Sequence, residues 1–123
     1  MIIQEFKLRL IGFANGIIDS FFKSNSFSEK SMATLAKYII KKKIDDMDDF
    51  LSLFANKNKE IDVEEFINYI IDNLVGENGM AINFKDYLNP DSVIYNIIPN
   101  KTIIIKKDDF NCFLRDVKKI YHS

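Results

Sequence analysis

The chain has 123 residues, of which 47% are hydrophobic and 28% charged, and its formal net charge at pH 7 is −1. This length suffices for one buried core, and the composition is that of a globular rather than a disordered chain. Cys112 is the only cysteine, which excludes an intramolecular disulfide and a cysteine metal cluster. We therefore expect a single globular domain over residues 1–123.

The first segment has the periodicity of an amphipathic helix. Charged residues interrupt each of its apolar runs well short of a membrane span, and no positive cluster opens it as in a signal peptide. The chain is therefore predicted to be cytoplasmic, with no membrane segment. On the opposite face, Gly12 and Gly16 either admit another backbone or mark a locally weak helix. The apolar residues recur at steps of three and four and are Ile3, Phe6, Leu10, Phe13, Ile17 and Phe21.

Three more helices are predicted before residue 75. Ser28 is a candidate cap for the second helix, which extends to about Lys43. The third helix is expected to begin near Asp45. The fourth is expected to run from Asp62 to about Leu74, where Gly76 follows its end.

The pattern changes in the last third of the chain. A short helical turn after Asn83 has to stop before Pro90. Residues 92–107, SVIYNIIPNKTIIIKK, are rich in Ile and Val on both sides of a Pro-Asn pair, which predicts a β-hairpin. A last helix is predicted from Asp108 to about Tyr121. The predicted fold class is α+β, mainly α, with about five helices in one domain and a β-hairpin between residues 92 and 107.

The stretch FANKNKEIDVEEF, residues 54–66, resembles the calcium loop of an EF-hand. Asn56, Asn58 and the carboxylates of Asp62 and Glu65 would take ligand positions 3, 5, 9 and 12 of such a loop. However, a phenylalanine stands where the family has its first carboxylate, and Lys59 stands where it has glycine. A degenerate calcium-binding module is therefore one alternative for this chain.

Residues 61–66 of this stretch also fit the pattern of a capped helix start. Asp62 would cap the fourth helix, Glu65 would reach back, and Ile61 would pack on Phe66 as a hydrophobic staple. Similar letters recur around Asn83, and in looser form around Asp109. Three helix starts built alike need no metal, so we favour the structural interpretation and expect neither metal nor cofactor.

No catalytic constellation stands out in the sequence. His122 is the only histidine and lies one residue from the end of the chain, a poor position for a rigid general base. A Ser-His or Cys-His pair would depend on it, and no glycine-rich phosphate loop is present. We therefore expect a protein that is not an enzyme.

The small net charge conceals three blocks of opposite sign. Residues 1–43 have a balance of +5, residues 44–91 a balance of −9, and residues 92–123 a balance of +3. The acidic residues concentrate in DDMDD, residues 45–49, and EIDVEE, residues 60–65. First turns of helices favour carboxylates, but the eight in these two segments exceed what capping requires. Such a field attracts a basic partner and repels nucleic acid.

In these features the chain resembles small single-domain bacterial immunity proteins that neutralise nuclease toxins. The resemblance covers residues 45–72 and lies in the strings DDMDDF and DVEEFINYIID, with the size of the chain and its lack of catalytic residues. The Ile/Lys/Asn-rich composition also resembles toxin–immunity modules, including those of contact-dependent growth inhibition. The resemblance implies an acidic helical surface that covers the basic active-site cleft of a toxin.

The sequence therefore predicts a non-catalytic binding protein of the immunity or antitoxin type, with a basic toxin domain as partner and Tyr69 as an aromatic anchor. The alternative, besides the calcium module, is a nucleic-acid-associated regulator that uses the basic flanks at residues 41–43 and 101–119. The predicted partner-binding residues are Asp45, Asp46, Asp48, Asp49, Glu60, Asp62, Glu64, Glu65 and Tyr69.

Overall fold

The computed structural model describes residues 1–23 and 25–122, the side chains of the last two excepted. Within these residues the fold is mainly helical with one small antiparallel sheet, so the predicted α+β class is confirmed. No helix in these ranges is long and apolar enough to cross a membrane. The elements are α1 (Ile3–Phe21), α2 (Phe27–Asp45), α3 (Asp48–Ser52), α4 (Val63–Leu74), β1 (Met80–Asn83), a 3-10 helix (Phe84–Tyr87), α5 (Val93–Ile97), β2 (Thr102–Ile105) and α6 (Lys107–His122).

The two longest helices, α1 and α2, pack against each other. The predicted face of α1 is confirmed, although its second half is only partly buried and Ile18 is its most deeply buried residue there. The cap of α2 is Ser26 rather than Ser28, because the hydroxyl of Ser26 accepts the N–H of Glu29 at 3.3 Å. Ser and Glu at this spacing form the start signature of a helix, and Ser28 is the second residue of that helix.

The two acidic segments precede or open α3 and α4. The start predicted for the third helix near Asp45 is wrong, because α2 continues through Asp45 and α3 begins at Asp48 without a side-chain cap. The cap predicted for α4 is confirmed, since Asp62 Oδ1 accepts the N–H of Glu65 at 3.0 Å. The predicted return bond from Glu65 is replaced, because the N–H of Asp62 donates to the carbonyl of Phe54 at 2.8 Å.

The predicted hairpin between residues 92 and 107 is wrong in one of its strands. β2 does form, but its antiparallel partner is β1, with Met80 opposite Ile105. Residues 93–97 form α5 instead, because the hydroxyl of Ser92 caps this turn by accepting the N–H of Tyr95 at 3.2 Å. Gly79, with φ 99°, lets β1 enter the pair, since a Cβ there would lie 2.7 Å from the Ile104 side chain.

Two other predicted helix starts are confirmed. Asn83 Oδ1 accepts the N–H of Lys85 at 3.0 Å and opens the 3-10 helix. At the start of α6, Asp109 Oδ2 accepts the N–H of Lys106 at 2.8 Å. These bonds span two or three residues, which is why the local letter pattern was sufficient to predict them.

Aromatic rings connect α1, α4 and α6 in the core. Phe6, which is fully buried, has its ring centroid 5.3 Å from that of Phe66 and 6.1 Å from that of Phe113. Phe13 stacks on Phe113 at 4.8 Å. The three helices therefore share one aromatic centre, and α4 presents its opposite face outward.

Candidate functional site

The loop between α3 and α4 is held in one conformation by backbone bonds. The amide of Asn56 donates to the carbonyl of Glu60 at 3.0 Å, and the loop turns at Lys59 with φ 60°. The first residues of the chain also contact this loop, because the N–H of Ile61 donates to the carbonyl of Met1 at 2.8 Å. The start of α4 is thus anchored to the N-terminal segment as well as to α3.

Four aromatic side chains of α3, α4 and this loop form a cluster. Phe54 lies at its centre, with ring centroids 5.4 Å from Phe66, 5.4 Å from Tyr69 and 5.5 Å from Phe50. Phe66 is buried, whereas Tyr69 is 41% exposed. The ring of Tyr69 therefore stands at the surface on a packed aromatic base.

A shallow depression surrounds this ring, and we call it the Tyr69 depression. Its volume is about 520 Å³, and its lining contains four carboxylates. None of the described residues that line it is Lys or Arg. The lining residues are Phe54, Asp62, Glu64, Glu65, Asn68, Tyr69, Asp72 and Asn73.

The second acidic segment thus meets the predicted aromatic anchor in space. Asp62, Glu64 and Glu65 line the depression with Tyr69. Together with Phe54 they also line an adjoining cleft of about 560 Å³, to which Glu60 and Lys118 contribute. Glu64 is also paired across this cleft with Lys118 of α6, at 3.0 Å.

Sequence reasoning missed Asp72. It follows Glu65 by seven residues and Tyr69 by three, so helical periodicity alone places all three on one face of α4. This spacing is the signal that identifies Asp72, which lies outside the two runs of acidic residues.

The carboxylates of the first acidic segment do not line this depression, although Phe50 of α3 packs on the Tyr69 ring at 5.8 Å. None of Asp45, Asp46, Asp48 and Asp49 lines the Tyr69 depression. Asp46 is the C-terminal cap residue of α2, and Asp49 is exposed in the first turn of α3. The structure therefore brings only one of the two predicted acidic groups together with Tyr69.

Two lysines engage the other carboxylates of this first segment. The buried Lys7 donates to the carbonyl of Asp45 at 3.1 Å and to Asp48 Oδ1 at 2.8 Å. Lys41 donates to Asp45 Oδ2 at 2.7 Å. This hydrogen bond lowers the pKa of the Asp45 carboxyl below its ordinary value of 3.8, against an opposing effect of desolvation, and the charges of both lysines add to the lowering.

Several cations of the basic flanks are also engaged within the molecule. Lys43 lies 4.9 Å from the ring centroid of Tyr87. Lys101 donates to the carbonyl of Phe21 at the end of α1 and lies 3.4 Å from Glu29. With the pairs of Lys41 and Lys118, these contacts place four cations of the flanks against a ring, a carbonyl or carboxylates of the same chain.

The calcium-like loop already uses its oxygens for backbone bonds. Asn56 Oδ1 accepts the N–H groups of Asn58 and Glu60, at 2.9 and 3.1 Å, and Asp62 caps α4. In the described part of the chain no group of three or more His, Cys, Asp or Glu side chains is arranged to hold a metal ion. Lys59 adopts a positive φ at the position of the family's glycine, so the loop shares the turn of an EF-hand without its ligand set.

No protein-family model, curated protein or solved structure matches the chain. The Tyr69 depression presents a partly exposed tyrosine, packed on Phe50 and Phe54, among four carboxylates. Such a surface attracts Lys and Arg side chains, and it repels the phosphates of nucleic acid.

Proposed function

We propose that the chain is a non-catalytic cytoplasmic inhibitor of the immunity or antitoxin type, which binds a basic toxin domain of the nuclease kind through the Tyr69 depression. One observation carries this proposal: four carboxylates line the depression around an exposed tyrosine, and Glu64 is the one of them that a described cation, Lys118, pairs with. An aromatic ring with a charged rim is the usual arrangement of a binding hot spot.

Inhibition in this account is by occlusion. The ring of Tyr69 enters a pocket of the partner, and the partner's Lys and Arg side chains face Asp62, Glu65 and Asp72. A nuclease needs cationic groups to hold phosphates, so covering them prevents its substrate from binding. No bond is made or broken by the inhibitor.

The two acidic groups have different roles in this account. Carboxylates that touch the partner contribute to orientation and affinity, whereas more distant exposed ones, such as Asp46 and Asp49, mainly accelerate the encounter. Asp45 and Asp48 contribute less, because Lys41 and Lys7 lie 2.7 and 2.8 Å from their carboxylates. The engagement of Lys41, Lys101 and Lys118 with carboxylates of the same chain likewise favours an acidic over a nucleic-acid-binding surface.

The experiment is an inhibition titration against the C-terminal domain encoded by the adjacent gene, with its nuclease activity as readout. Tyr69→Ala is expected to raise the inhibition constant at least about 30-fold, since truncating a hot-spot residue costs about 2 kcal/mol or more. Tyr69→Phe should retain most of the affinity. Tyr38→Ala, which removes an exposed tyrosine from α2, is the matched control.

Circular dichroism establishes that each variant is folded at the assay temperature. Full inhibition by a folded Tyr69→Ala variant would contradict the proposal, as would a failure of the parent chain to inhibit the domain. Retention of the chain on RNA or DNA, abolished by Lys42→Glu, would establish the nucleic-acid alternative instead.

A further inference from the structure

A second concave surface lies between α1 and α6, and we call it the α1–α6 groove. Its volume is about 590 Å³. The stacked rings of Phe13 and Phe113 lie at its base, with centroids 4.8 Å apart. Leu8, 71% exposed, and Ile120, 50% exposed, stand on its walls. Apolar residues thus line a concavity that is separate from the Tyr69 depression.

Gly12 keeps one wall of this groove open. A Cβ added at Gly12 would meet no heavy atom within 4 Å, and the same holds for Gly16 one turn later. Only Gly12 lines the groove. Glycine is unfavourable inside a helix, and here its missing side chain leaves space next to the exposed Leu8.

The rim of the groove is negatively charged. Glu5, Asp109 and Asp116 line it with one cation, Arg9, whose Nη2 lies 3.7 Å from Glu5 Oε1. A second cation, Arg115, donates to Sγ of the lining residue Cys112 at 3.0 Å, so the carboxylates outnumber the cations three to two. This rim repels the anionic surface of a phospholipid membrane and the backbone of nucleic acid. It complements Lys and Arg side chains placed beside an apolar stripe.

The dimensions of the groove suit a helix. The wall contributed by α6 extends from Asp109 to Ile120, which corresponds to a length of about 16 Å, or three helical turns. We propose that this groove binds an amphipathic, cationic α-helix of a protein partner, with its apolar stripe on Phe13 and Phe113 and its Lys or Arg residues against the rim. This site is independent of the proposed function and holds whether or not the Tyr69 depression binds a toxin.

The test compares two identical substitutions one turn apart. Gly12→Leu fills the groove, whereas Gly16→Leu makes the same change outside it. Both remove a helix-interior glycine where the added atoms have room, so thermal unfolding should show both variants at least as stable as the parent. The probes are a Leu/Lys amphipathic helical peptide and a Leu/Glu peptide of the same length and pattern.

Fluorescence anisotropy gives the dissociation constants. We expect the Leu/Lys peptide to bind the parent and Gly16→Leu equally, and Gly12→Leu about tenfold or more weakly. The Leu/Glu peptide should bind the parent about tenfold more weakly than its cationic counterpart. A Glu65→Lys/Asp72→Lys variant should bind the Leu/Lys peptide like the parent, which separates this groove from the Tyr69 depression.

Three results would overturn the proposal. The first is equal binding of the Leu/Lys peptide by Gly12→Leu and Gly16→Leu, and the second is equal binding of both peptides by the parent. The third is a parent dimer in sedimentation equilibrium that Gly12→Leu converts to a monomer, because the occupant is then a second copy of this chain.

Discussion

The ammonium group of Lys7 lies where water scarcely reaches it, with the residue only 6% exposed. Its partners are a backbone carbonyl and one carboxylate oxygen of Asp48, whose side chain is 57% exposed. A buried charge is tolerated only when its partners replace water. Lys7 therefore connects α1 to the corner between α2 and α3. The free energy of burying its charge depends on the carboxylate of Asp48.

Replacing Asp48 by alanine should lower the free energy of unfolding by about 1–3 kcal/mol, because it leaves this ammonium group short of a partner. Asp49→Ala removes the neighbouring carboxylate from the same helix turn and should change stability by less than about 0.5 kcal/mol. Urea denaturation measures both. Adding Lys7→Met to Asp48→Ala should recover part of the loss, and equal effects of the two single substitutions would show that Lys7 does not depend on Asp48.

Asp62 carries a structural role whether or not a partner is present. Asp62→Ala should cost about 0.5–2 kcal/mol of stability, because it removes the acceptor of the Glu65 N–H at the start of α4. Asp46→Ala should cost less, since Asp46 follows α2 and caps no helix start. Thermal unfolding without added metal compares the two, and parent-like melting of Asp62→Ala would refute the capping role.

At the scale of the elements, the loop between α3 and α4 resembles an EF-hand calcium loop in part of its sequence and in its turn at Lys59. Millimolar calcium should nevertheless leave the melting temperature unchanged, because Asn56 and Asp62 already accept backbone N–H groups and Phe54 replaces the first ligand. A site filled at 100 times its dissociation constant would add about 2.7 kcal/mol. The control is magnesium, and a shift specific to calcium would show that these oxygens exchange their protein partners for the ion.

The elements that could be predicted from sequence are those set by local contacts. The side chains of Asp62, Asn83 and Asp109 accept backbone N–H groups within three residues, so the local sequence is sufficient to predict these helix starts. The β1–β2 pair joins segments some twenty residues apart. The local sequence of β2 does not indicate whether its partner is residues 80–83 or residues 93–97. β-branched residues favour a strand, but the hydroxyl of Ser92 and the absence of a nearby partner strand leave α5 helical.

The candidate surface was predictable to a similar degree. Its carboxylates and Tyr69 share one helix, so spacing was sufficient for most of it, whereas the support from Phe50 and Phe54 comes from a different element. The contacts of Lys7 with Asp45 and Asp48 were not predictable, because lysine is usually exposed and this one is buried.

At the scale of the whole molecule, the uneven distribution of charge is the property on which the proposed binding depends. Residues 44–91 have a balance of −9 within a chain of net charge −1, and the Tyr69 depression lies in that block. Exposed charges act on a partner over about 8 Å at physiological salt, so the strength of this field is visible in association rates. The association rate of a partner that docks elsewhere on the chain would depend less on these charges.

The most direct measurement is the association rate constant with the proposed toxin partner, sought in the C-terminal domain of the adjacent gene's product, at low and at physiological salt. Glu65→Lys/Asp72→Lys is compared with Asp86→Lys/Asp91→Lys, which changes the net charge equally at carboxylates that do not line the depression. The parent and the second variant should associate fast at low salt and more slowly as salt rises, whereas the first variant should associate slowly and with little dependence on salt. If the folded first variant associates as fast as the parent at every salt concentration, the Tyr69 depression is not the binding surface.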